Sequence, residues 1–201
     1  MNVRLAVAAG CAVGLASGWN ISNTGAVAQQ LAKSYGIGLA TVGLFTTALF
    51  VTHMLLQVPA GRASDLYGER RTSLVGLVLI VCFNALALIT PATALALAAR
   101  TLAGIGTGLA FVSASAYVRV QGGSPFAQGL YGGVGLAGGG IALAVVPAVE
   151  DAIGWRAPFV TAIAAGVAGL ALLALGPSDA ERTRHPRAEH APAAVFRERR
   201  L

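Results

Sequence analysis

Charge is what this sequence has least of. Only 11% of its 201 residues are Asp, Glu, Lys or Arg, against about 25% in an ordinary soluble domain. So few charges cannot cover a soluble surface of that size. A disordered chain is excluded as well, because 56% of the residues are hydrophobic and disorder needs the reverse balance. Cysteine is scarce: Cys11 and Cys82 both lie in apolar runs, so no disulfide scaffold holds the fold. The 26 glycines follow no three-residue period, which excludes a collagen-like fibre. Mean hydropathy is +0.71. What remains is an integral, all-α membrane protein.

A helical span needs about 20 mostly apolar residues. Six such stretches are expected, over 5–28, 39–60, 72–90, 94–117, 128–149 and 156–176. Pro91 closes the third. Pro158 falls in the first turn of the sixth, where a missing N–H does no harm. Residues 177–201 change in character, with Pro177, Pro186, Pro192 and six arginines. They read as a basic cytosolic tail or linker. The first span is not read as a cleaved signal peptide. Its Ala8-Ala9-Gly10-Cys11 is only faintly similar to a lipoprotein cleavage box, and five more spans follow.

Orientation follows from Lys and Arg in the short segments between spans. With the N-terminus inside, eleven basic residues fall inside, and two, Lys33 and Arg156, fall outside. Both termini are therefore expected in the cytoplasm of a plasma or inner membrane. The net charge of +6 then needs no nucleic acid, since basic residues beside anionic lipid explain it.

The segment between the second and third spans reads Gly61-Arg62-Ala63-Ser64-Asp65-Leu66-Tyr67-Gly68-Glu69-Arg70-Arg71. Gly61 and Gly68 allow a tight turn and close helix approach. Asp65 is suited to accept hydrogen bonds from backbone N–H groups at a helix start. Arg70 and Arg71 anchor the start of the third span at the inner surface. This G-x-x-x-D-x-x-G-x-R-R pattern resembles the signature loop of the major facilitator superfamily, and sits where that family has it. Leu66 stands where the family usually has a basic residue.

Other segments agree. Arg100, followed by Gly104 and Gly106, resembles the family's helix-4 motif. Gly154-Trp155-Arg156-Ala157-Pro158-Phe159 looks like its start of helix 6. Gly135-Leu136-Ala137-Gly138-Gly139-Gly140 is similar to its antiporter motif, with Leu136 in place of a proline, which weakens an antiporter reading. The resemblance implies one six-helix bundle built as two three-helix repeats, half of the family's usual fold. It also implies a secondary transporter working by alternating access, with no enzymatic activity, cofactor or metal.

Several motifs are decoys. Gly133 to Gly138 spells G-x-G-x-x-G, but inside an apolar run without the strand a dinucleotide site needs. Close helix packing explains it better, with Gly129/Gly133 and Gly135/Gly139 as small-residue pairs and Gly140 beside them. An intramembrane serine protease needs an activated serine near a histidine. Ser17-Gly18 and His53 exist, but the serine's context is one residue off the usual pattern.

The polar residues inside the spans are the candidate site. Arg100 is the one charged residue within a span, about 9 Å from its outer end. It either faces a cavity or snorkels to the interface; the resemblance favours the cavity. Asn20 and Asn23 share one face of the first span, for solute hydrogen bonding or interhelical contact. His53 lies about 21 Å from the outer end of the second span. It is expected first as a hydrogen-bonded packing histidine. It is also the one candidate for proton coupling here, unless coupling resides elsewhere, because no Asp or Glu lies within a span. Gln57 and Asn84 are expected as interhelical contacts.

Transport of a small solute is the leading expectation, with an arginine-lined cavity leaning towards anions. A non-transporting interaction protein or an inactive fragment is the alternative. One bundle needs a second: the chain is read as a truncated product, a homodimer, or a partner of a separately encoded second half, with truncation favoured. In the family the aspartate loop packs against that other half. The lipid bilayer is the remaining partner.

Overall fold

The computed structural model describes residues 3–178. These are helical, with no strand among the described residues. The helices are α1 (Val3–Ala26), α2 (Ala28–Tyr35), α3 (Leu39–Leu55), α4 (Gln57–Tyr67), α5 (Glu69–Ala87), α6 (Thr93–Val120), α7 (Pro125–Ile153) and α8 (Ala157–Leu175). A short 3-10 turn, Gly154–Arg156, joins the last two. The basic tail expected over 177–201 lies outside the described residues from 179 onward.

One expectation needs correction. The second span does not run unbroken over 39–60. It breaks at Leu56, and a separate helix, α4, starts at Gln57. Pro59 is the physical reason: it has no N–H to give the Leu55 carbonyl, so the ladder loosens there. The Gln57 side chain, expected to bridge helices, instead donates to the His53 carbonyl at 3.3 Å, across the break. The segment after the first span is itself partly helical. It contains α2, which ends at Gly36 in the left-handed conformation (φ +63°) and meets α3 at 111°.

The count of six spans meets a stricter test here. Among the described residues, four helical stretches are long and apolar enough to cross a membrane, or five if the bent α2–α3 pair is one span. One of the four, Pro125–Leu175, is 51 residues long and holds both the fifth and the sixth expected spans. Its two halves run in opposite directions. α7 lies parallel to α1, with Tyr131 on Gly14 and Ser22 on Gly139. α8 lies antiparallel to α1, with the Ala12 carbonyl near Gly169 and Asn23 bonded to Pro158. The reversal sits at Gly154, whose φ of +60° and ψ of −140° suit a residue without a Cβ. Similar pairings make α3 parallel to α6 (Gly104 on Leu49, Gly108 on His53) and α5 antiparallel to α6 (Gly76 on Ala110, Gly106 on Ile80).

Small residues make these approaches possible. A Cβ on Gly18 would collide with the Gly135 carbonyl, and one on Gly104 with the Leu49 carbonyl. Without a hydrophobic force between helices in lipid, such close van der Waals contact is what binds them. The buried apolar residues fall into two clusters. Ala16 of α1, Ile80 of α5 and Ala110 of α6 belong to one. Trp19, Ala87 and Ala99 of the same three helices belong to the other. Where the clusters meet, α1, α5 and α6 carry polar side chains.

Candidate functional site

That polar layer centres on Arg100. Its side chain is the largest fully buried one among the described residues, 1% exposed, so it does not snorkel to an interface. The α6 backbone aims it at two neighbours. Nη2 donates to the Asn20 carbonyl of α1 at 2.5 Å, and Nε to the Phe45 carbonyl of α3 at 3.3 Å. Nη1 is buried without a hydrogen-bond partner. No carboxylate pairs with this guanidinium among the described residues. An unpaired buried cation is costly, and backbone carbonyls offset only part of that cost.

Asn20 is the hub. Its Nδ2 donates to the Ala16 carbonyl at 2.9 Å, and its Oδ1 accepts from Asn84 Nδ2 at 2.8 Å. Asn84 also donates to the Ile80 carbonyl at 2.8 Å, while its Oδ1 is buried and unpartnered. The cluster therefore holds one unmatched donor, Arg100 Nη1, and one unmatched acceptor, Asn84 Oδ1.

The other expected residues lie elsewhere. Asn23 is not brought to Arg100: its Nδ2 donates to the Pro158 carbonyl of α8 at 2.7 Å, and its Oδ1 accepts from the Thr24 N–H. His53 lies on the α3–α6 seam, with Nδ1 3.1 Å from Thr107 Oγ1. Phe50 stacks on its ring at 6.1 Å, and Phe111 approaches at 5.9 Å.

The signature segment departs from its expected form. Gly61 makes neither a turn nor a close approach. It is inside α4, and a Cβ there would meet only Val112, at 3.9 Å. Asp65 is exposed in the last turn of α4, one turn before α5 begins. The residue before α5 is Gly68 (φ +99°), which itself has no side chain to cap that helix. Asp65 lines a cavity of about 400 Å³ with Ser64, Ser115, Arg119 and Gln128. Arg71 is exposed. Arg70 instead reaches α8, donating to the Leu173 carbonyl at 3.0 Å and the Ala174 carbonyl at 2.6 Å. A cation there complements the negative end of the helix.

The glycines divide. Gly104, Gly106, Gly135 and Gly139 sit where a Cβ would press on a neighbouring helix. Gly140, Gly129 and Gly133 do not: nothing lies within 4 Å of the Cβ position at any of them. Gly140 is one residue, and so about 100°, round the helix from Gly139, which turns it away from α1.

Asn84 and Thr107 escaped sequence reasoning as site residues. Each is a lone polar residue in an apolar run, and only the packing of α5 and α6 shows what it meets. No curated protein matches the chain. A family model described as Major Facilitator Superfamily matches residues 10–201. That match spans nearly the whole sequence, and the chain belongs to the Major Facilitator Superfamily, a family of transporters rather than enzymes.

Proposed function

We propose that this chain is one bundle of a secondary transporter that moves a small anion across the membrane by alternating access. The observation that carries the reading is the buried Arg100 guanidinium, with an unpartnered Nη1 and no carboxylate paired with it among the described residues. Intramembrane charges mark solute or ion pathways by default. The position also supports the reading, because the cluster lies between the two apolar clusters, where a midplane site belongs. Six crossings, in order α1, α3 with α4, α5, α6, α7 and α8, agree with the helix directions. Both termini then lie on one side, and the basic bias makes that side cytoplasmic, in a plasma or inner membrane.

Rocking needs a second bundle. The exposed face of α7 is a surface for it: Phe126, Gly129, Leu130, Gly133 and Ala137 line a groove of about 520 Å³. A second copy or a separate second half is the occupant this reading requires. The reading is tested by uptake into proteoliposomes from a panel of labelled solutes of either sign. Small anions enter faster than into protein-free vesicles if the reading holds. Entry of cations alone, or of nothing, contradicts it.

A further inference from the structure

His53 and Thr107 define a hydrogen-bond inventory that can be closed. The Thr107 hydroxyl has one hydrogen, and it donates to the Gly104 carbonyl at 3.0 Å. Its lone pairs are what remain for His53 Nδ1, 3.1 Å away. With the hydroxyl hydrogen on Gly104, Nδ1 carries the imidazole hydrogen and Nε2 keeps a bare lone pair. Nε2 has no hydrogen-bond partner among the described residues and is not among the sealed, unpartnered atoms. The residue keeps 7% of its surface open. Two aromatic rings flank the imidazole, Phe50 and Phe111, and aromatic faces attract cations.

Thr107 is seven residues, two turns, from Arg100 on α6, so the two share one face. On α3, His53 is eight residues from Phe45, whose carbonyl holds Arg100. Both routes put the imidazole about 11 Å from the guanidinium. At that range two positive charges in a membrane interior oppose each other strongly enough to matter.

We propose that His53 Nε2 is a proton-binding site linked to an anion site at Arg100, so that proton and anion bind together. The inference rests on the transporter reading above and adds the coupling ion to it. A proton bonds to the Nε2 lone pair, Nδ1 keeps its own, and no other bond breaks. The site gains one positive charge. An anion on Arg100 removes the repulsion that opposes that gain. By reciprocity the proton favours the anion equally, by about tenfold at this separation. Both then cross as a neutral pair.

The principal elements packed against α3 are α1, α2, α4 and α6. Their titratable or charged groups are Arg4 and Cys11 on α1, Lys33 and Tyr35 on α2, Arg62, Asp65 and Tyr67 on α4, and Arg100, Tyr117 and Arg119 on α6. None makes a hydrogen bond or ring contact with the imidazole. Tyr131 of α7 touches Phe111, one ring further out. Arg100 alone of these charges is fully buried.

Nitrogen NMR of the histidine-labelled full chain in bilayers reads the site directly, with His53→Gln subtracting His185 and His190. The expected result is a neutral ring carrying its hydrogen on Nδ1, which gains a proton at Nε2 as pH falls. Arg100→Gln moves the midpoint up by about one pH unit, and Arg100→Lys leaves it in place. In wild-type protein, formate in place of a bulky impermeant anion moves it up too, which covers a glutamine variant that fails to fold. A hydrogen on Nε2 at high pH, no titration, or a midpoint indifferent to both Arg100→Gln and formate overturns the proposal. Anion uptake without His53 titration defeats the coupling and leaves the transporter reading standing. A linked titration without uptake defeats the transporter reading instead.

Discussion

Asn84 of α5 donates to Asn20 of α1 at 2.8 Å, and the carbonyl of that same Asn20 accepts from Arg100 of α6. Three helices are thus tied through one residue. Asn84 stands one turn beyond Ile80 of the first apolar cluster and three residues before Ala87 of the second, so the tie lies in the polar layer.

Removing the tie weakens the bundle modestly. Asn84→Ala should destabilise the folded protein by about 0.6–1.7 kcal/mol, the range for interhelical hydrogen bonds in membranes. Denaturant unfolding in mixed micelles measures it. A variant as stable as wild type shows that the bond contributes nothing.

The glycine division predicts a contrast across the α1–α7 pair. Gly18→Ala places a methyl group on the Gly135 carbonyl of α7, and backbone cannot swing aside. A loss of about 1–3 kcal/mol follows from such overpacking. Gly140→Ala meets nothing within 4 Å and should stay within about 0.5 kcal/mol of wild type. Thermal unfolding of the two variants side by side checks both. Equal losses contradict the packing described.

Arg70 predicts a charge-dependent cap. Arg70→Ala removes both bonds to the Leu173 and Ala174 carbonyls, and should cost about 1–2 kcal/mol. Arg70→Lys keeps the charge but not the fork, and should recover only part. Proteolysis at the α8 exit, compared among the three proteins, reports the loosening. Identical cleavage rates show that α8 ends as firmly without the arginine.

Much of the fold was legible because its cause is local. Long apolar runs exclude charge, and the run from Pro125 to Leu175 shows its reversal in Gly154. The all-helical class and the family follow from such features. The breaks were harder. Gly61 suggested a turn, yet Ser64 and Gly68 continue an ordinary helical bond pattern, and a glycine permits a turn without demanding one. The site was half legible. Arg100 stands out as a charge in an apolar run, and so does Asn20 as an amide. That Asn23, three residues on, turns to Pro158 depends on where α8 packs. The partnership of His53 with Thr107 joins residues 54 positions apart, which no local pattern encodes.

The central claim is that the Arg100 charge carries the solute. Its most direct test is the initial rate of anion uptake into proteoliposomes by wild type, Arg100→Lys and Arg100→Ala, each confirmed folded at equal density. Loss of a hydrogen bond to a charged group predicts a drop of at least tenfold in kcat/KM for the alanine variant, since about 1.5–3 kcal/mol is at stake, with partial recovery in the lysine variant. A folded Arg100→Ala protein that takes up the anion at the wild-type rate contradicts the account.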